Sequence, residues 1–468
     1  MKLAYLGLPV LVFGLSCGDS ANDVGFDASD GERDASAAER DASPAERDAT
    51  PADDATPVAP GATLSERLET TTLTVPNAVK SGVSNWRIWG RSSLGVAPVF
   101  TIPLSNCETL IGYTGSDGNA RALRIGANGT ASVAETHALG AGLELRGLAA
   151  EPTGEFGALL WDDANDKIYL HRFTSAGLPD WQEELTNASN SPTDFGIGDS
   201  RLEFGDGKYG AYYHVHSDTG HEGDTLKWIS TSGTETTGWS WGCSHSMSAL
   251  LRYNDAQTKF MPACVTDRYP GTSGSNFAAN SIGGIYLNHN ARKVMDLDAG
   301  CNGSVAGELG AAAISPDGWK LGFNGHQAAA TMGQSSYDSS SMNQDVGFVS
   351  VASNYDPGSV VWLTSTSGID EEDVVMARWT PEGQSNEQYI VGWAESSTKR
   401  QLAIVDAAGS IIDGPTEFDG SLRWGHRDDP MRRHYDGDVV WSWFDSAGST
   451  ELKFARIQSG QTPVCTSY

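Results

Sequence analysis

The chain is poor in positive charge. Its 468 residues carry 31 Lys and Arg against 60 Asp and Glu, a net charge of −29. Such a balance argues against nucleic acid or anionic lipid headgroups as a partner. A cationic ligand or a divalent metal is easier to accommodate, although a local basic pocket overrides net charge. Long apolar runs are also scarce. The N-terminal stretch MKLAYLGLPVLVFGLSC is too short to span a bilayer as a stable helix. Three signatures of chemistry are missing: the HExxH helix, the phosphate-cradling GxxxxGK[ST] loop and the DxDxDG-type calcium loop. Their absence removes the helix-borne zinc, P-loop and EF-hand readings.

The opening stretch has one Lys, an apolar core and Ser16–Cys17 at its end, which reads as a secretion signal. It resembles the lipobox of bacterial lipoproteins, with Gly14 where that family carries Leu. The resemblance implies cleavage before Cys17 and acylation of its thiol and new amino terminus. Gly18 stands where an Asp would imply inner-membrane retention, so the outer membrane or the cell surface is the implied location. Residues 18–64 hold twelve Asp and Glu against three Arg and include the heptads ERDASAA, ERDASPA, ERDATPA and DDATPVA. No heptad position carries a large apolar residue, which excludes a coiled coil. The segment buries too little surface to offset its ordering entropy. It reads as a disordered tether with a reach of roughly 40 Å.

From 65 to 468 a sequence phrase recurs about every 45 residues, the mark of a β-propeller. Each copy has a short apolar run, a turn such as EPTGE, FGDGK, TPEGQ or YDGD, and an aromatic-rich run such as FGALLWDD or VVWSWFDS. A third run and a Gly turn follow. Seven units can be placed, near 97–140, 145–187, 200–243, 247–298, 306–364, 372–418 and 427–458. The seventh shows three strands, and 68–75 (LETTTLTV) is the candidate for its fourth. Such a pairing closes the ring and removes its open edges. The segment 85–90 (NWRIWG) is a further candidate strand. The expected fold is therefore all-β, a seven-bladed propeller closed by an N-terminal strand. Trp161, Trp362, Trp393, Trp441 and Trp443 recur at strand positions and are expected to pack between blades.

The six cysteines fit an exported protein. Setting Cys17 aside leaves five. Cys107 in the first blade and Cys465 after the last form the preferred pair, since a bridge there locks the ring. Cys243 and Cys264 are neighbours around blade 4. Cys301 is left over, or exchanges with one of these.

Propeller loops divide between two faces. Loops joining second to third strands open on one face with the loops between blades, here termed the upper face. The second-to-third loops of blades 3, 4 and 5 are long, a feature associated with function. Six of the ten histidines fall in this phase: His214, His216, His221, His245, His326 and His426. Asp224, Asp267, Arg268, Tyr269, Asn302, Glu308, Tyr337, Asp345 and Arg427 accompany them. His137, His171, His289 and His434 fall elsewhere.

His214 and His216 lie two apart on a strand and so share a side of the sheet, a recurrent metal-ligand spacing. His245, His326 and His426 are candidates to complete the site, with zinc or copper as the metal. His221, Asp267, Glu308, Tyr337 and Arg427 would then line a ligand site. Two other readings use the same face. His245, Tyr269 and Arg268 could act as base, acid and carboxylate-neutralising group in a β-elimination on a uronic-acid polysaccharide. Trp239, Trp241, Trp319, Trp424 and Tyr269 could instead offer stacking surfaces in a non-catalytic glycan- or protein-binding module. The expectation is a lipid-anchored, monomeric propeller that binds a metal ion, a polar extracellular ligand such as a polysaccharide or peptide, or both.

Overall fold

A computed structural model of the chain describes residues 61–84, 93–126, 132–185, 196–216, 222–243, 246–266, 283–288, 292–297, 307–327, 343–424, 429–462 and 464–466. The chain divides into two units, Met1–Pro51 and Ala52–Tyr468, and everything described here belongs to the second. Cys17, the tether's heptads, Cys301 and the segment 85–90 lie outside the described residues. Two short strands, Ser81–Ser84 and Ser93–Val96, flank that last segment and pair with each other.

Seven four-stranded antiparallel sheets form the fold. Their first strands are Phe100–Pro103, Glu144–Ala150, Gly196–Gly205, Ser246–Asn254, Gly307–Ser315, Glu372–Trp379 and Arg432–Arg433. Each of these touches the first strand of the next blade, and the seventh touches the first. That cyclic order makes the ring. Blade 7 borrows its outer strand from the start of the domain. Leu68–Thr74 runs antiparallel to Glu451–Ile457, in register from Leu68 opposite Ile457 to Thr74 opposite Glu451.

Burial explains why the strands read as they do. Middle strands have a neighbouring blade on each face, so they are continuous apolar runs instead of alternating ones. Phe156–Asp162 is buried up to its last residue, and Val439–Phe444 and Gly318–Gly325 are buried throughout. Outer strands such as Ile411–Asp419 are mostly exposed and carry polar side chains. Glycine appears where one blade presses on the next. A Cβ on Gly205 would enter the Tyr253 ring, and one on Gly310 would strike the Val374 backbone. Trp161, Trp393, Trp441 and Trp443 are all buried between blades. Indole nitrogens reach polar partners at the blade edge: Trp441 Nε1 donates to the Arg423 carbonyl at 2.9 Å and Trp443 Nε1 to Asp445 at 3.0 Å. A buried aromatic of this kind contributes on the order of 1.5–3 kcal/mol.

The closure is reinforced three ways. A short helix, Leu64–Arg67, precedes the closing strand. Arg67 donates from Nε to the Ala62 carbonyl and from Nη1 to the Gln458 carbonyl, and its guanidinium lies over the Trp379 ring. A disulfide joins Cys107 to Cys465 across 358 residues of sequence. Beside it, Thr466 N–H donates to the Ser105 carbonyl at 2.8 Å. The second disulfide links Cys243, just past blade 3, to Cys264 in the second strand of blade 4.

A disulfide that closes so long a loop restrains the unfolded chain most strongly. Cys107→Ala/Cys465→Ala should therefore lower stability by about 2–4 kcal/mol, read as a lower denaturant midpoint with a steeper slope from the more expanded unfolded chain. An unchanged midpoint would show that strand pairing alone closes the ring.

Candidate functional site

The first strands of the blades line the axis. Their ends, with the turns to the second strands, surround a cavity of about 570 Å³ in the size range of small-ligand sites. Pro152, Asp206, Gly207, Asp255 and Tyr435 come from those turns. The cavity therefore lies on the lower face, opposite the loops that gather the histidines. His434, which sequence phase sets apart from any site, is part of its wall.

Charge defines this cavity. Arg252, Arg378, Arg432 and Arg433 line it together with Glu203, Asp206 and Asp255. Glu203 Oε2 accepts from Arg252 Nη1 at 3.3 Å and lies 3.6 Å from Arg432 Nη1. Arg252 also pairs with buried Asp429 and donates from Nε to the Ala312 carbonyl of blade 5 at 3.2 Å. Just behind, Arg201 is held by Asp199 at 2.5 Å. Burial pulls the Arg252 pKa well down, and the charges of Arg432 and Arg201 add to the shift against the pull of Glu203. Arg432 is lowered by burial too, with Glu203 opposing and Arg201 assisting. Guanidiniums remain charged in proteins, so these directions register removal of the charges from water, with like charge nearby adding to it. His434 Nδ1 contacts Asp436 at 2.8 Å, and Asp436 and Asp438 pair with Arg456 beside the closing strand.

Sequence reasoning that follows histidines misses this site. The signal was present in a different residue. Five of the seven first strands carry arginine: Arg146, Arg201, Arg252, Arg378 and Arg432. In LLRYN, VVMARW and MRRHY the residue stands within about two positions of the strand's end and lines the cavity, whereas in ELRGLAA and GDSRLEFG it stands further back and does not.

The upper face can be described in part. His214 is buried, and its Nδ1 lies 3.0 Å from the Asp224 carboxylate, which also accepts from Tyr212 Oη at 2.6 Å. Because a carboxylate only accepts, Nδ1 carries the proton, the tautomer of many metal-ligating histidines. Asp224 itself belongs to the strand Glu222–Ser230, opposite His214, and not to a loop. Among the described residues, the one set of three metal-donor atoms within 4.8 Å of one another is Asp224, Cys243 and Cys264. Both sulfurs of that set are joined in the disulfide, which removes them as thiolate ligands. His216 ends the same strand as His214, but its side chain is not among those described. His221, His245, Asp267, Arg268, Tyr269, Asn302, Tyr337, His426 and Arg427 lie outside the described residues.

Blade 5 carries three sequence-predicted residues, of which His326 and Asp345 lie near a further acid, Glu371, that was not foreseen. Glu308 stands opposite Asn324 in strand register, and His326 Nδ1 donates to the Asn343 carbonyl at 3.0 Å. Burial lowers the His326 pKa against the opposing effect of that hydrogen bond, keeping the ring neutral. Asp345 accepts from the Thr366 backbone N–H at 3.0 Å, and the Thr366 hydroxyl donates to Glu371. Thr366 thus bridges Asp345 and Glu371, one through its backbone N–H and the other through its hydroxyl. Burial pushes Glu371 up to about 7, with the Thr366 hydroxyl opposing and the Asp345 charge assisting.

The stacking reading meets a structural answer at two of its residues. Trp319 and Trp424 are buried at 0% and 5% exposure and form part of the core, so they offer no stacking surface. The pentapeptide GWSWG at 238–242 fits the GxSxG pattern but lies within the outer strand Glu235–Gly242. A nucleophile elbow needs a strand-to-helix turn.

No protein-family model matches the chain, and no curated protein matches it. Solved structures resemble it in fold at low identity. Penicillium chrysogenum α-L-arabinanase complexed with arabinobiose is 12% identical, with a TM-score of 0.42, over 83% of this chain and 98% of that one. The Dos1 propeller is 10% identical, with a TM-score of 0.41, over 85% and 84%. α-L-Arabinofuranosidase from Lactobacillus brevis is 13% identical, with a TM-score of 0.30, over 57% and 92%.

The blade 5 pair yields a pH test. The folded pKa of Glu371 lies above its ordinary 4.5, so its contribution to stability is fully present below about pH 4.5 and is lost as pH rises through about 7. Glu371→Gln, which stays neutral, should gain on the wild type in melting temperature between about pH 5 and pH 8. Parallel pH profiles for the two proteins would contradict a proton held on buried Glu371.

Proposed function

We propose that this protein is an exported, lipid-tethered binding propeller that captures a polar extracellular ligand in its axial cavity. The observation that carries the reading is the cavity itself. Small side chains such as Ala149, Ala150, Ala312 and Ala313 leave the space, and charged groups from several blades converge on it. Ligand sites combine these two properties. Capture is the simpler reading of the lining, because its polar groups are largely engaged: Glu203 by Arg252 and Arg432, Asp206 by Lys208, and His434 by Asp436.

Export is supported by the two disulfides, which suit an oxidising compartment. Acylation at Cys17 and the acidic tether would place the ring clear of an outer membrane. A flexible tether of this kind lets a fixed module search the volume around its anchor. Zinc or copper binding through His214 and His216, and a lyase reaction through His245, Arg268 and Tyr269, depend on groups outside the described residues.

A panel of immobilised oligosaccharides and peptides tests the reading. The full chain should be retained on a subset of the panel, and Ala150→Trp, which narrows the cavity mouth, should lose that retention while keeping its melting temperature. Failure of the wild type to be retained on any component, or equal retention of the plugged variant, would contradict capture in the cavity.

A further inference from the structure

The charges of the axial cavity are unevenly paired. Four guanidiniums and three carboxylates line it, and Asp429 behind the wall supplies a fourth acid, within a chain of net charge −29. Glu203 and Asp429 serve Arg252 and Arg432. Arg378 and Arg433 have no ion-pair partner among the described residues, and Arg378 Nε is buried without a hydrogen-bond acceptor there. Arg433 is exposed at the end of its strand, and the guanidinium of Arg378 and the carboxylate of Asp436 act on it with opposite sign. The two side chains stand on adjacent first strands, those of blades 6 and 7, and face the same space.

We propose that Arg378 and Arg433 anchor the carboxylate of an acidic oligosaccharide seated in the axial cavity. The proposal rests on the binding reading above and names its ligand class. A guanidinium fork matches two carboxylate oxygens in one plane. The three lining carboxylates, Glu203, Asp206 and Asp255, accept hydrogen bonds from sugar hydroxyls. At the mouth, Tyr435 is 47% exposed and Tyr253 lies beside the cavity, which gives an amphipathic ring surface suited to a pyranose face. An acidic peptide fits less well, because walls of alanine provide no pockets for its alternate side chains.

The experiment is calorimetric titration of the full chain with trigalacturonate and with the fully methyl-esterified trimer, which keeps the shape and removes the charge. The acid should bind at least about tenfold more tightly, and raising salt should weaken the acid only. Arg378→Gln/Arg433→Gln should bring acid and ester to the same affinity at an unchanged melting temperature. Equal binding of acid and ester by the wild type would overturn the carboxylate anchor and leave the capture reading standing. Binding of inorganic phosphate without binding of trigalacturonate would overturn it as well. If neither trimer nor any component of the oligosaccharide and peptide panel binds, both the anchor and the capture reading fall.

Discussion

The antiparallel pairing of Leu68–Thr74 with Glu451–Ile457 is the interaction on which the rest depends. A ring of radial sheets has no edge to spare, and an unpaired blade 7 would leave its third strand open. With the ring closed, the first strands are pressed together around the axis in fixed order. Their side chains then have nowhere to go but the axis or the adjoining blade. The Cys107–Cys465 disulfide and the Arg67 contacts secure the same seam from either side.

Closure has an electrostatic consequence. Arg201, Arg252 and Arg432, which would be solvated on an isolated hairpin, are gathered in a confined, poorly hydrated space. Taking a charge out of water costs several kcal/mol, and the axis offsets this through Asp199, Glu203 and Asp429. The compensation stops short of Arg378 and Arg433. An acidic protein thus carries a basic spot at its centre, which is how net charge and local chemistry come to point to different ligands. The blade 5 carboxyl pair shows the opposite solution, in which burial is met by holding a proton and not by pairing with a cation.

The fold was legible in the sequence because each blade repeats the same physical demand. Two buried faces call for continuous apolar and aromatic runs, and the turns between them call for glycine, so the period survives where identity does not. Even the closing strand could be read, since 427–458 supplied three runs and 68–75 was unassigned. Within blade 3, Asp224 was taken for a loop residue because HSDTGHEGD is polar. The strands there extend to His216 and from Glu222, and a buried partner in His214 makes the acid acceptable in a strand. The cavity was harder to see. It is made by residues from blades far apart in sequence, and a periodicity of arginine in the first strands carries no meaning until the ring places those strands together. Histidine, rarer and chemically louder, drew attention to the other face.

The central claim is that ligand enters among the turns of the lower face. Hydrogen–deuterium exchange on the intact chain, with and without trigalacturonate, addresses this most directly. The account predicts slowed exchange at 203–207, 252–255 and 431–435, which carry the cavity wall and its turns. Slowed exchange confined to 217–221 and 267–282, the segments that carry the upper-face candidates, would contradict it.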